Sequence, residues 1–354
     1  MTIHVRLMPV KHEMQIGILA LSAPERINAQ NLSMVRQMVQ ALQQWHARED
    51  VVAVVLIGAG ERGFCAGGDL KALYEAMTEP DQIAQGDAFF AEEYALCQMI
   101  REYPKPVLAW GHGIVMGGGW GLFSAASHRV VTESSKLAMP ETAIGLFPDV
   151  AASRWLSELA GYGQFLALSG AAINAADALL TGAAQWALPD ATRHGVLAGL
   201  AALPWLGNSS DAELLSDFLA QASAPLAASS HLAAHEDVLQ DDNGGSVQER
   251  CIQLRALTLS SDPWLAHAGE RIHKASPTSL WLAWTLQQHC KTLSFPETVQ
   301  LETQVSAACL RYGDFRAGIY ATLIDRNSTP RWQQTDLMRL DHGKLTSAFP
   351  MFFN

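Results

Sequence analysis

Two acids, Glu141 and Asp149, flank the short turn of residues 142–148 in the run MPETAIGLFPD. A carboxylate in a dry site can act as a general base or as a nucleophile. Neither acid declares that role by itself. A glutamate after proline is commonly the first residue of a helical turn, and Asp149 could equally cap a helix over residues 150–159. Acyl chemistry would also require donors for the negative charge that develops on oxygen. Upstream, WGHGIVMGGGWGL passes from the apolar run of residues 107–110 through Gly111 and Gly113 to Gly117-Gly118-Gly119, and then into an amphipathic segment. Glycines between a strand and a helix let the backbone take φ > 0 and approach a ligand closely. The helix behind them aims unpaired N–H groups and the positive end of its dipole at the same place. A second glycine turn, GAGERG followed by FCAGGDL, comes after the β-branched run of residues 51–57. Two such junctions can each offer one amide to a single oxygen, which makes an oxyanion hole. A tight turn without a ligand remains the alternative for each.

FCAGGDL, HGIVMGGGWGL and MPETAIGLFPD, in this order and spacing, resemble the enoyl-CoA hydratase/isomerase (crotonase) superfamily, and within it the 3-hydroxyisobutyryl-CoA hydrolases. The resemblance runs over nearly the whole chain, through Glu92-Glu93-Tyr94, SPTSL at residues 276–280 and LIDRNSTPRW at residues 323–332. It implies a spiral of ββα units carrying an acyl-CoA site. Glu141 would be the catalytic carboxylate beside the thioester, and Asp149 would face a 3-hydroxyl. Glu93 and the Gly118 amide would line the acyl pocket, with Gly68 and Gly118 as the oxyanion donors. Arg26, Ile27, Ala66, Asp69 and Leu70 are the positions implied for coenzyme A contacts. The implied activity is hydrolysis of a short 3-hydroxyacyl-CoA, foremost 3-hydroxyisobutyryl-CoA from valine breakdown. No metal or redox cofactor is implied, since coenzyme A belongs to the substrate; self-association into a homo-oligomer is.

One absence separates branches of the superfamily. Hydratases typically show GGG-x-Glu at the second turn, whereas this chain reads Gly117-Gly118-Gly119-Trp120-Gly121. Without that second carboxylate, addition of water to an enoyl thioester is poorly supported. The chain also departs from its hydrolase relatives. Val150-Ala151-Ala152-Ser153-Arg154-Trp155 stands where they are glycine-rich, Trp120 replaces a smaller apolar residue and would narrow the pocket, Arg316-Ala317-Gly318 lacks an acid before the glycine, and Glu25 replaces a lysine. These differences bear on the acyl group and the coenzyme affinity, not on the reaction class. The rival readings are a hydratase, isomerase or decarboxylase acting on another acyl-CoA, and a non-catalytic acyl-CoA-binding protein. Retention of Glu141 and Asp149 favours an enzyme.

Other chemistry finds less support. His231 and His235 have the i,i+4 spacing of a helical zinc site, but no third ligand is evident. Cys65 has neither a histidine nor an acid placed by the sequence to activate it, so it reads as a small buried residue. Neither a GxSxG elbow nor a GxxxxGK loop occurs.

The elements that must position these groups follow from periodicity. Residues 15–22 read as a strand, paired in a hairpin with residues 4–8. Asn31 can cap a helix over 32–46 whose Met34, Met38, Leu42 and Trp45 recur at helical spacing. Residues 51–57 form the next strand and residues 71–103 a helix, ended by Pro104 and Pro106. Alternating strands and helices predict an α/β fold. Short helices are expected over 163–202, a loop-rich insertion over 205–247 and helices from 248 to about 325. We divide the chain into an acyl-CoA-binding catalytic core, residues 1–203, and a helical insertion and C-terminal region, residues 204–354.

At 354 residues the chain has ample room for a buried core, and 49% hydrophobic with 17% charged residues reads as a soluble globular protein. A net charge of −11 argues against a nucleic-acid surface. No apolar run is long enough to span a membrane, and the N-terminus lacks the pattern of a signal or transit peptide. Five scattered cysteines with no CxxC fit reduced thiols and a cytoplasmic protein.

Overall fold

The computed structural model describes residues 2–79, 81–225, 227–240 and 245–353. Strand β1 (Thr2–Pro9) folds back antiparallel on β2 (Gln15–Ser22), with Val5 opposite Leu19. The chain then crosses through α1 (Leu32–His46) to β3 (Val51–Gly58), which lies parallel to β2. Asn31 starts α1, its side chain accepting from the Met34 amide at 2.9 Å. The predicted stripe of Met34, Met38, Leu42 and Trp45 is buried. β3 is buried along nearly its whole length, as a β-branched run at the centre of a parallel sheet should be.

The next elements are β4 (Gly63–Cys65), α2 (Leu70–Thr78) and α3 (Ile83–Arg101). The single helix expected over 71–103 is thus two. Glu79, which precedes Pro80, adopts extended angles (φ −92°, ψ 120°), because proline disfavours the helical conformation in the residue before it. Beyond come β5 (Val107–Gly111), β6 (Ile114–Met116), α4 (Gly118–Ala125), β7 (His128–Val131), β8 (Lys136–Ala138) and β9 (Trp186–Ala187). The larger sheet has the order β1-β2-β3-β5-β7-β9 and is parallel from β2 onward; a smaller one has the order β4-β6-β8. Repeated strand–helix crossovers of this kind make the chain an α/β protein.

Packing gathers the described residues into two compact units. One contains Met1–Gly68, Ala95–Leu137 and Ile173–Ala234; the other contains Asp69–Tyr94, Ala138–Ala172 and His235–Asn354. In the first, Ile16, Ile18, Val55, Trp110 and Val130 of the larger sheet form a core with Val196, Trp205, Leu215 and Leu219. The stretch expected to be a loop-rich insertion therefore supplies core. Its helix Asp211–Ala222 is preceded by a turn in which the Asp211 carboxylate accepts from the amides of Leu206, Gly207 and Asn208 at 2.9, 2.8 and 3.3 Å. The cluster GNSSD that signals a loop is a tight Asp-organised turn into that helix. The second unit is largely helical, including Val247–Ala256, Pro263–Lys274, Pro277–Cys290, Phe295–Tyr312 and Asp314–Ile319. No helix among the described residues is long and apolar enough to cross a membrane.

Helix α4 lies hard against β4. A Cβ on Gly119 would stand 2.3 Å from the Cys65 carbonyl oxygen and 2.7 Å from the Cys65 Cβ, leaving no room for a side chain. Gly195, in the helix Arg193–Ala202, has nothing within 4 Å of an added Cβ. The two alanine substitutions should therefore differ in sign. Gly119→Ala is expected to cost at least about 1–3 kcal/mol through overpacking, whereas Gly195→Ala should gain up to about 1 kcal/mol of helix propensity. Urea-unfolding midpoints measure both, and a midpoint unmoved by Gly119→Ala would show that strand and helix have slack.

Candidate active site

The first unit brings the two glycine turns together. Gly67, with φ +97°, occupies backbone space that favours glycine, and a Cβ there would lie 3.1 Å from the Met116 carbonyl oxygen and 3.4 Å from the Gly118 amide nitrogen. The first turn is anchored from the other side, where Gln30 donates its amide to the Gly67 carbonyl at 2.7 Å and pairs with Gly68 in an isolated bridge. Gly118 is the first residue of α4, where helix geometry provides no acceptor for the amide. The amides of Trp120 and Gly121 instead close back onto the Gly117 carbonyl at 2.8 and 3.0 Å.

Of the residues expected at the coenzyme, Arg26, Ile27 and Ala66 share one edge of the first unit, since the Ala66 amide donates to the Ile27 carbonyl at 2.9 Å. Asp69 and Leu70 open the second unit, and the Asp69 side chain caps α2 by accepting from the Lys71 amide at 3.1 Å. Cys65 is fully buried, its thiol donating to the Asn28 carbonyl at 3.2 Å. Trp120 is fully buried as well. His235 faces Asp262 at 3.0 Å and stacks on Trp264.

The acids Glu93, Glu141 and Asp149 are all buried in the second unit, at 1%, 5% and 4% exposure. Glu93 is therefore turned into the interior of its unit and not onto a solvated helix face. Burial pushes its carboxyl well above the ordinary range, and the negative charge of Asp149 pushes it further. Glu141 is raised in the same way by burial and then by Asp149; a backbone hydrogen bond of its own and the Arg271 guanidinium act in the opposite sense. Asp149 is pushed up by burial to about 7, against the hydrogen bond it accepts from the Tyr94 hydroxyl at 2.8 Å. The Glu141 Oε2 atom is buried without a hydrogen-bond partner among the described residues. A buried carboxyl oxygen with no donor is costly to a folded chain, so that atom is available to a ligand.

The turn bearing Glu141 is fixed by two distant segments, around Ser276 and Asp314. Residues Glu141–Ile144 form one 3₁₀ turn that ends at Gly145, where an added Cβ would meet the Asp314 backbone at 2.3 Å. Ser276 of SPTSL donates its amide to the Thr142 carbonyl at 3.1 Å and its hydroxyl to Asp314 at 2.6 Å, while also capping the helix that follows it. Arg271 holds the Ser169 carbonyl at 2.8 Å.

Asp149 does not cap a helix of residues 150–159. Its side chain is bonded to Tyr94, and the following helix α5 is Ala152–Trp155, continued by a 3₁₀ turn at Leu156–Glu158, with Ala151 before it in the left-handed region. The acid that serves the start of α5 is Glu302, fully buried on the helix Phe295–Tyr312. Its carboxylate accepts from the Ala151 amide at 2.6 Å and the Ser153 amide at 3.1 Å. Burial raises Glu302 to about 8 despite those bonds.

Tyr94, Glu302 and Arg271 were not selected by sequence reasoning. Tyr94 sits inside the recognised EEY motif. Glu302 carried a readable signal, an acid on the stripe Thr298, Val299, Val305, Ser306 and Cys309 that proves to be the buried face of its helix. Nothing in the sequence marks Arg271.

These acids make stability depend on pH. Glu302 rises from an ordinary 4.5 to about 8, so between those values the folded state holds a proton that the unfolded state has released. Stability contributed by this group is full below about pH 4.5 and is lost as pH rises toward 8. In urea titrations the wild type should lose, relative to Glu302→Gln, on the order of a few kcal/mol between about pH 5 and pH 8. A gap between the two proteins that is constant with pH would show Glu302 ionised throughout.

Residues 16–349 match the Enoyl-CoA hydratase/isomerase family. The chain is 34% identical to the mitochondrial 3-hydroxyisobutyryl-CoA hydrolase of Rattus norvegicus over 334 residues, 94% of this chain and 86% of the relative. It is 35% identical to the corresponding protein of Danio rerio over 343 residues, with the same coverages. Among solved structures, a carnitinyl-CoA dehydratase from Mycobacterium thermoresistibile superposes with a TM-score of 0.84 at 31% identity, covering 98% of this chain and 96% of that one. An enoyl-CoA hydratase from Rhodobacter sphaeroides 2.4.1 gives a TM-score of 0.81 at 29% identity, with the same coverages. The chain is a member of the enoyl-CoA hydratase/isomerase family and carries its crotonase fold.

Proposed function

We propose that this protein hydrolyses short 3-hydroxyacyl-CoA thioesters, with 3-hydroxyisobutyryl-CoA as its substrate and valine breakdown as its setting. The observation that carries the reading is the buried Glu141 carboxyl, one of whose oxygens has no hydrogen-bond partner among the described residues, in one cluster with a second buried acid, Asp149. The similarity to proteins named 3-hydroxyisobutyryl-CoA hydrolase supports the same chemistry. In the proposed reaction Glu141 takes a proton from water, or attacks the thioester carbonyl itself. The amides of Gly68 and Gly118 receive the charge that develops on the carbonyl oxygen. Collapse of the tetrahedral adduct breaks the carbon–sulfur bond, and the departing thiolate takes the proton that Glu141 accepted from water, or a proton from solvent where Glu141 attacked directly; in that second case water then hydrolyses the mixed anhydride left on Glu141 to the free acid. Asp149 receives the 3-hydroxyl, with Tyr94 fixing its carboxylate, and Glu93 lines the acyl end. Arg26, Ile27, Ala66, Asp69 and Leu70 are assigned to the coenzyme. Oxidation states do not change, so the proposed reaction calls on no redox partner. All these residues lie within 1–203, the segment assigned as the catalytic core. The five cysteines, all buried free thiols, accord with a reducing compartment.

Similarity to a hydratase and a dehydratase raises the alternative of water addition across a double bond. That reaction, as the superfamily typically runs it, would want a second carboxylate two residues after Gly119. Gly121 stands there, behind the buried Trp120. Release of free thiol across a panel of acyl-CoA thioesters separates the two reactions, because hydration releases none.

Glu141→Gln keeps the shape of the side chain but removes the proton acceptor. Its kcat is expected to fall at least about a hundredfold, roughly 2.7 kcal/mol of barrier, with substrate binding largely retained. Near-normal thioester hydrolysis by this variant would make Glu141 a structural residue and end the assignment. Asp149→Asn should weaken hydrolysis of the 3-hydroxyacyl substrate far more than that of the same acyl-CoA without its hydroxyl. Equal losses would remove Asp149 from substrate recognition.

A further inference from the structure

Directly after Asp149 the backbone does something its residue types resist. Val150 and Ala151 both lie in the left-handed region, at φ 53° and 61°, and both are buried. For residues bearing a Cβ this conformation is unfavourable, more so for β-branched valine, and two in succession persist only where the surroundings over-determine them. Besides the amides of Arg154 and Trp155, which donate to the Ala151 carbonyl at 3.0 and 3.1 Å, the turn has three anchors among the described residues. The Trp155 indole donates to the Val150 carbonyl at 3.1 Å, the Ala152 amide donates to the Asp149 carbonyl at 2.8 Å, and Glu302 takes the amides of Ala151 and Ser153 at 2.6 and 3.1 Å. Only the last comes from a distant part of the sequence. It is also the only carboxyl group among the three, and it spans the strained residue and the start of α5.

We infer that Glu302 is a positioning residue for Asp149: by clamping the Val150–Ala151 turn it aims the Asp149 carboxylate and keeps it against Tyr94. The inference rests on the proposed role of Asp149 toward a substrate hydroxyl. Glu302 touches no reacting atom. Its action passes through two backbone amides to the residue before them. A glutamate at that distance from the chemistry is kept buried at a cost, and the strained turn gives it a task. Glycines at 150 and 151 would populate the left-handed region without a clamp.

The test pairs Glu302→Gln, which retains one acceptor, with Glu302→Ala and with the double variant Glu302→Ala, Val150→Gly, all in the full-length chain. Hydrogen exchange over residues 149–155 and hydrolysis of a 3-hydroxyacyl-CoA and its deoxy analogue are measured on each. Glu302→Ala should lose exchange protection at Ala151 and Ser153. Its kcat/KM on the hydroxy substrate should fall between about tenfold and a hundredfold, the scale set by ångström-sized misplacement of a substrate contact, and by much less on the deoxy analogue. Glu302→Gln should fall between wild type and Glu302→Ala. Val150→Gly should restore part of the lost preference, because it removes the strain that the clamp opposes. Unchanged exchange in a folded Glu302→Ala protein overturns the inference, and so does an equal loss on both substrates, which marks a merely structural residue. A wild type that hydrolyses neither thioester removes the proposed activity and with it the positioning role, while the exchange data still decide whether the clamp exists.

Discussion

Burying acid beside acid is the constraint on which the second unit depends. Glu93, Glu141, Asp149 and Glu302 are each at or below 5% exposure, and the charge of Asp149 raises the pKa of each of the other three. In a low-dielectric interior every ionised carboxyl must be met by donors or give up its charge. The chain answers differently for three of these acids. Asp149 receives a tyrosine hydroxyl, Glu302 receives two backbone amides, and the Arg271 guanidinium offsets the rise of Glu141. One Glu141 oxygen is left without a donor among the described residues. A fold that supplies donors to Asp149 and Glu302, and none among the described residues to that atom, leaves it open to a ligand in the proposed reaction.

Such an arrangement is useful only if it is stiff, and the stiffness is built from backbone. The Glu141 turn is pressed on the Asp314 backbone at Gly145 and hung from the Ser276 amide, while the Asp149 turn is held through Val150, Ala151 and Ser153. Residues 276, 302 and 314 come from the helical C-terminal half. The motif SPTSL therefore serves the turn at 141 through one amide and one hydroxyl, and its apparent role as a helix start is only half of what Ser276 does.

Much of the fold was legible because it is periodic. The stripe of α1, the β-branched run of β3 and the hairpin of β1 and β2 all announce themselves in the sequence. The glycine turns could be found from their composition, and their adjacency could be expected from the resemblance alone. What could not be read was anything decided by long-range contact. The helix expected from 71 to 103 breaks at the residue before Pro80, a rule available beforehand but outweighed by the Ala- and Glu-rich composition on either side. Residues 205–247 were read from their polar clusters, although Leu215 and Leu219 sit at helical spacing and pack under the sheet. The Asp149 cap was a sound local inference overruled by Tyr94 and by an acid some 150 residues further on. Caps are local in sequence by habit, not by necessity, since any acceptor that reaches the first amides of a helix will serve.

Coupling among the acids ties recognition to reactivity in the proposed reaction. Titrations of groups this close belong to the set and not to single residues, and charge on Asp149 works against charge on Glu141. A substrate hydroxyl that donates to Asp149 favours its ionised form. That in turn raises the proton affinity of Glu141, which strengthens it as a base while lowering the fraction that is ionised. The Tyr94 hydroxyl already biases Asp149 toward charge, so the substrate has only to complete the shift. A thioester without the hydroxyl would meet a weaker base as well as a looser grip. On this account Asp149 discriminates between substrates through the transition state as much as through binding, and its effect belongs in kcat as well as in KM.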